Sequence, residues 1–198
     1  MKRIVCAALL CVAACGNVQE SGAIPAEGGP KALSTIAEKP APPSEKQVEE
    51  FGSLTNYIGM TFKGSPSGDS TEAFVDIQKW EWGLDGNTIL IRHALEDGSY
   101  GGDTHVYKDA KTGKLTYVYI TSAGYHTVGE MIPNDGGWVA EEEVTGHETI
   151  TRVRSTSVVD ADGVWTMNAE YLKSGEWVPG HEFKYEETDT PLPILVVE

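Results

Sequence analysis

The chemistry open to this chain lies in five histidines and a handful of carboxylates. The histidines are His93, His105, His126, His147 and His181. No two stand at the i,i+2 or i,i+4 spacing that sets metal ligands side by side on a strand or helix, so a zinc motif is absent locally. His93 and His181 fall on apolar faces of expected strands. They are expected as hydrogen-bonded interior histidines, with a haem ligand as the sharper alternative. Glu141-Glu142-Glu143 is expected as a solvated face, because a calcium site needs converging oxygen ligands. Asp160-Ala161-Asp162-Gly163 lacks the distal glutamate of a calcium loop and is expected as a plain turn. Glu81 enters acid–base chemistry only if a bulge turns it inward. Neither Gly-x-Ser-x-Gly nor His-Glu-x-x-His occurs. Ser99-Tyr100-Gly101-Gly102-Asp103 precedes no Lys-Ser or Lys-Thr, so it is expected as a hairpin rather than a phosphate loop. No metal and no cofactor is expected. Nothing fixes a nucleophile with its base, so binding is expected ahead of catalysis. An enzyme would need a carboxylate and a histidine to meet in an open pocket.

The three cysteines, Cys6, Cys11 and Cys15, all stand near the start. Met1-Lys2-Arg3 and the apolar run that follows have the charge and length of a secretory signal segment, too short for a stable membrane span. Val12-Ala13-Ala14-Cys15 resembles the bacterial lipobox. That resemblance implies cleavage before Cys15, a diacylglycerol thioether on its sulfur and acylation of the new amino group. Cleavage leaves no other cysteine, which excludes a disulfide and nucleophilic cysteine catalysis in the exported part. Several acyl chains hold a protein firmly at a bilayer. Gly16 and Asn17 follow, with no aspartate directly after the cysteine, which resembles default sorting to the outer membrane, periplasmic face.

Charge narrows the partners. Lys plus Arg number 15 against 30 Asp plus Glu, a net charge of −15. Nucleic-acid binders neutralise phosphates with clustered cations, so that class is excluded. Attachment to anionic lipid by charge is disfavoured for the same reason. The expected partners are the bilayer, through acylated Cys15, and a small apolar or amphipathic ligand. An envelope protein is the alternative partner.

The elements that must position these residues follow. Residues 1–14 are expected as signal peptide and 15–43, rich in Gly and Pro, as a lipidated flexible tether. Ser44-Glu45-Lys46-Gln47 fits a capping box opening a short helix over 44–55, with Val48 and Phe51 on its apolar stripe. That stripe is expected to pack as a lid or plug on the domain at 56–198. There, turn signals recur between β-branched and aromatic runs, placing strands at 57–64, 72–82, 88–96, 103–108, 114–121, 125–132, 137–144, 148–159, 164–172 and 176–187. Short links force antiparallel neighbours, and closure disposes of exposed edges. The fold class is all-β: an up-and-down barrel of about ten strands with a short N-terminal helix.

Period-two alternation indicates the inner face. Ile89, Ile91, His93 and Leu95 share one face. So do Trp165, Met167, Ala169 and Tyr171, and again Trp177, Pro179, His181, Phe183 and Tyr185. Ala73, Val75 and Ile77 oppose Asp76 and Gln78, with an unclear register at Trp80-Glu81-Trp82. In 148–159, Arg152 and Arg154 face out, leaving Thr149, Thr151, Val153, Ser155 and Ser157 inside. Such small residues suit either a hollow or a space filled by aromatics from opposite strands. Ile91, His93, Trp165, Tyr171, Trp177, His181 and Tyr185 are expected to line a ligand cavity.

Trp80-Glu81-Trp82-Gly83-Leu84-Asp85-Gly86-Asn87 puts an aromatic pair before a glycine turn and an aliphatic strand. Val106-Tyr107 precedes Lys111-Thr112-Gly113. Ser122-Ala123-Gly124 opens another strand. Gly175-Glu176-Trp177 and Glu182-Phe183-Lys184-Tyr185-Glu186 close the domain. Over residues 54–188 this pattern resembles a family of uncharacterised bacterial calycin-like domains. The resemblance implies an eight- or ten-stranded barrel that holds a small apolar ligand, by analogy of fold. Ile58-Gly59-Met60-Thr61-Phe62 departs from the Gly-x-Trp signature of lipocalins, so no lipocalin-specific or haem function is carried over.

Overall fold

The computed structural model describes residues 41–67, 74–134 and 136–196. The expected signal segment, Cys15, the tether to residue 40 and the turn residue Asp135 lie outside the described residues. One helix, α1 (Glu45–Phe51), runs into a 3-10 turn (Gly52–Tyr57). Ten strands follow: β1 (Thr61–Pro66), β2 (Asp76–Gly83), β3 (Thr88–Leu95), β4 (Gly101–Lys108) and β5 (Leu115–Thr121). The second half is β6 (His126–Asn134), β7 (Gly137–Thr145), β8 (Ile150–Val159), β9 (Trp165–Lys173) and β10 (Glu176–Glu187). Each pairs antiparallel with the next, and β10 pairs with β1, so the sheet closes into a ten-stranded barrel. Closure leaves no edge to be covered.

The capping box forms as the sequence dictates. Ser44 N–H donates to Gln47 Oε1 at 2.8 Å, and Gln47 N–H to Ser44 Oγ at 3.3 Å. The helix and its 3-10 extension then close one end of the barrel. Gln47 Nε2 donates to the Gly86 carbonyl in the β2–β3 turn at 3.1 Å. Ser53 Oγ donates to the Asn134 carbonyl at the end of β6 at 3.3 Å. Phe51 and Leu54 are fully buried. Phe51 meets Trp82 edge to face at 5.6 Å. Tyr57 reaches further in, 5.2 Å from Trp80 and 5.5 Å from Trp138. Trp165 packs 4.9 Å from Trp138, so this half of the lumen is filled by rings. Ser157, fully buried on the same inner face, is covered here. The filled alternative therefore holds for this half.

Two strands depart from the expected faces. In β10 the register against β9 shifts between Pro179 and Glu182. Gly180 and His181 together oppose Ala169, a bulge that turns everything before it over. Phe183 and Tyr185 point inward, whereas Trp177 lands outside, where the Arg154 guanidinium lies 4.4 Å from its ring centre. In β2 the register is unbroken from Asp76 to Gly83. Asp76, Gln78, Trp80 and Trp82 all face inward, and Glu81 faces out to pair with Lys79 and Arg92. Ile77 is therefore an outer residue, yet it is fully buried, as is its outward neighbour Ala94. The C-terminal segment covers them. Thr188 N–H donates to the Thr61 carbonyl, Val196 N–H to the Gly98 carbonyl, and Leu195 presses on Gly101 beside Ala94. A buried Ile on a strand looks the same to alternation whether core or strap covers it.

Truncating a fully buried aromatic leaves a cavity that the lattice around it cannot close. Phe51→Ala is expected to cost about 3–5 kcal/mol, and Val48→Ala, on the exposed side of the same helix, about 0.5 kcal/mol or less, in urea unfolding. Equal losses would contradict the plug.

Candidate functional site in the polar half of the lumen

Beyond the aromatic half, the inward rows change to polar side chains. They approach the hairpins that join β3 to β4, β5 to β6, β7 to β8 and β9 to β10. Asp76 enters from β2, His93 from β3, Tyr119 from β5, Glu142 from β7, Tyr171 from β9 and His181 from the β10 bulge. Tyr100 and Tyr125 are added by the β3–β4 and β5–β6 hairpins. Gly102, opposite His93, has no side chain because the Tyr119 ring occupies that space.

One chain of hydrogen bonds links five of these groups. Asp76 Oδ1 lies 2.8 Å from His93 Nδ1, and His93 Nε2 lies 2.7 Å from the Tyr119 hydroxyl. Tyr119 is 2.8 Å from the Tyr100 hydroxyl, which is 2.6 Å from that of Tyr125. Asp76 Oδ2 accepts from the Tyr185 hydroxyl at 2.9 Å, and Gln78 Nε2 donates to that hydroxyl at 3.1 Å. A second cluster lies on the neighbouring inward rows. Glu142 accepts from Thr127 and Tyr117, and Tyr171 bonds His181 Nδ1. These groups are walled by protein, yet the inward-facing His93 keeps 17% of its side chain accessible, against 5% for Asp76.

Burial sets the protonation states. It pushes the Glu142 carboxyl up, opposed by the hydrogen bonds from Thr127 and Tyr117. It pulls His181 down from 6.5 to about 4, with Asp76 opposing and His93 assisting. The phenols of Tyr100, Tyr119, Tyr125 and Tyr171 are all pushed up, so they stay protonated. The tyrosines therefore act as neutral donors and acceptors.

The expected cavity residues divide. His93, Tyr171 and His181 come together in the polar half. Trp165 belongs to the aromatic half, and Ile91 is buried in the same apolar core. Tyr185 joins the halves, its ring stacked on Trp165 at 4.2 Å and its hydroxyl on Asp76. Trp177 stands outside. Glu142, expected in a solvated run, faces inward. It continues the Trp138–Ala140 row, the signal that could have placed it. Asp76 was placed on the wrong face, and its parity with Trp80 and Trp82 was the available clue. Tyr100, Tyr119 and Tyr125 carry no motif. Among the described residues, no three His, Asp or Glu side chains converge to hold a metal ion. Two hollows lie on the outer wall. One of about 610 Å³ crosses β6 to β10 beside Ile132, Val139, Thr156 and Asn168. One of about 390 Å³ lies under the C-terminal segment beside Lys79 and Arg92.

The two buried groups oppose each other in pH dependence. His181 is held neutral, so the unfolded chain binds the extra proton. Its contribution to stability is complete above pH 6.5 and is lost as pH falls towards about 4. Glu142 has the opposite sign. Its raised carboxyl holds a proton longer in the fold, so stability falls as pH rises above the ordinary value of 4.5. Glu142→Gln is expected to raise Tm at neutral pH, with the gain shrinking in acid. His181→Gln is expected to flatten the acid-side loss. Thermal unfolding across pH reads both, and parallel curves for the variants and the parent chain would contradict the assignment.

Among known proteins, the chain matches no family model and no curated sequence.

Proposed function

We propose that the barrel binds a small amphipathic ligand, holding its polar group in the polar half of the lumen and its apolar part against the aromatic half. The observation that carries this is the linked inward-facing array from a buried Asp76 through the half-buried His93, Tyr119 and Tyr100 to Tyr125, beside a wall of rings. Binding sites of this kind combine an apolar lining with a few converging polar groups. Stability alone gives little reason for so many polar groups inside a barrel, because each one must be kept hydrogen-bonded at a desolvation cost. Asp76 and His93 do meet, as an acid–base pair would. Their remaining partners are Tyr185 and Tyr119, which orient them and offer no nucleophile, so binding is the better supported function.

The same proposal places the domain at the outer membrane, periplasmic face, through an acylated Cys15, on the strength of Val12-Ala13-Ala14-Cys15. A second reading, an envelope protein partner, is favoured by exposed aliphatics on the outer wall: Ile132 is 59% exposed and Ile120 55%.

Ser155 faces the lumen between Ala140 and Ala169, and a large side chain there would occupy the binding space. Native mass spectrometry of the full chain extracted from membranes is expected to show a small-molecule adduct that Ser155→Trp abolishes. An adduct unchanged in Ser155→Trp, or none in the parent chain, would contradict lumen binding. Cys15→Ala is expected to move the protein out of the membrane fraction, and unchanged partitioning would contradict the anchor.

A further inference from the structure

With a neutral His93 ring protonated on Nδ1, the hydrogen bonds in the polar half run in one direction. Asp76 already accepts from Tyr185 through Oδ2, and the single ring proton of this His93 tautomer is donated to Oδ1 at 2.8 Å. The bare Nε2 must then accept from Tyr119 at 2.7 Å. Tyr119 has spent its hydrogen, so Tyr100 donates to it at 2.8 Å. Tyr100 has spent its own, so Tyr125 donates to Tyr100 at 2.6 Å. The chain ends on the Tyr125 oxygen, which has lone pairs to offer and no hydrogen left to give.

The electrostatics point the same way. The strand register puts Asp76 and Glu142 on the inward rows of the polar half, with Glu176 at the strand end opposite Lys173. Among the described strands, Lys or Arg reaches an inward row only at strand ends, Lys108 on β4 and Lys173 on β9. Glu142 and Tyr171 both pair with Val153, and Tyr125 stands two residues before Thr127, which bonds Glu142, so acid, acceptor and ring lie on neighbouring rows. The Lys173 ammonium already sits 5.2 Å from the Tyr171 ring centre, a cation drawn to this rim. His181 offers at most one N–H against these acceptors, its Nδ1 being taken by Tyr171.

We propose that the group recognised in the polar half is a protonated aliphatic amine, whose N–H donors meet Tyr125 and Glu142 and whose charge faces the tyrosine rings. The proposal rests on the lumen-binding function above and adds its ligand class. A carboxylate ligand would face two acids and a spent chain of donors. An alcohol would satisfy Tyr125 and leave the Glu142 charge unanswered. A cation beside Glu142 also gives that buried carboxyl a reason to ionise, which burial otherwise opposes.

The test is isothermal titration of the full chain, at neutral pH, with hexylamine, hexan-1-ol and hexanoate, which share one apolar chain. Hexylamine is expected to bind, and hexanoate to bind at least about a hundredfold more weakly. Glu142→Gln is expected to weaken hexylamine about tenfold, and Tyr125→Phe by several-fold, with near-ultraviolet circular dichroism confirming that both variants keep the fold. Hexanoate or hexan-1-ol binding as tightly as hexylamine, and blocked by Ser155→Trp, would overturn the ligand class and leave lumen binding standing. Hexylamine binding that ignores Glu142→Gln and Tyr125→Phe would overturn the assigned contacts. Failure of all three probes to bind would overturn both readings together.

Discussion

Tyr185 joins the two halves of this barrel, and the rest of the interior is arranged around it. Its ring stacks on Trp165 at 4.2 Å and belongs to the packed aromatic half. Its hydroxyl donates to Asp76 at 2.9 Å and belongs to the polar half. Both contacts need the ring to lie flat against β1, and Gly64 permits that, since a Cβ there would fall inside the ring. Asp76, held from one side by Tyr185, holds His93 from the other. His93 in turn fixes the direction of three phenolic hydrogen bonds. A residue that is wholly buried therefore sets what the rim of the site can offer a ligand.

This division separates the packed half of the lumen from the half proposed to bind. The aromatic half, closed by α1 and the 3-10 turn, supplies burial and edge-to-face packing of the kind that holds a small barrel together. The chain has no cysteine after Cys15, so packing must do what disulfides do in many exported domains. The polar half carries the desolvation cost. Glu142 has its carboxyl raised and His181 its imidazole lowered, both chiefly by burial. Groups perturbed by burial cluster at recognition sites, and this is the support they lend to the proposed binding role.

The general architecture was legible because turn chemistry and strand spacing are local. Glycines and aspartates punctuate the hairpins, and the ten expected strands all appear, with ends displaced by a few residues. The capping box at Ser44 was equally local. Faces were harder. Trp177 was misplaced because the bulge at Gly180 and His181 inserts one residue, and alternation has no memory of an insertion it cannot see. Ile77 misled in another way, since the C-terminal segment covers it and makes an outer position as apolar as an inner one. The polar site was legible only in part. His93, Tyr171 and His181 stood out as unusual residues on apolar rows. Glu142 was hidden in a run of three acids, and Tyr100 and Tyr125 lie in hairpins, where parity says nothing about direction.

The central claim is the polarity of the chain that begins at Asp76, and the tautomer of His93 reports it directly. Long-range nitrogen–proton correlation NMR of the full chain at neutral pH distinguishes a protonated ring nitrogen from a bare one. The expected pattern is a proton on Nδ1, facing Asp76, and a bare Nε2 accepting from Tyr119. A spectrum with a proton on Nε2, whether Nδ1 is bare or protonated as well, would reverse the chain, turn Tyr125 into a donor, and contradict the account.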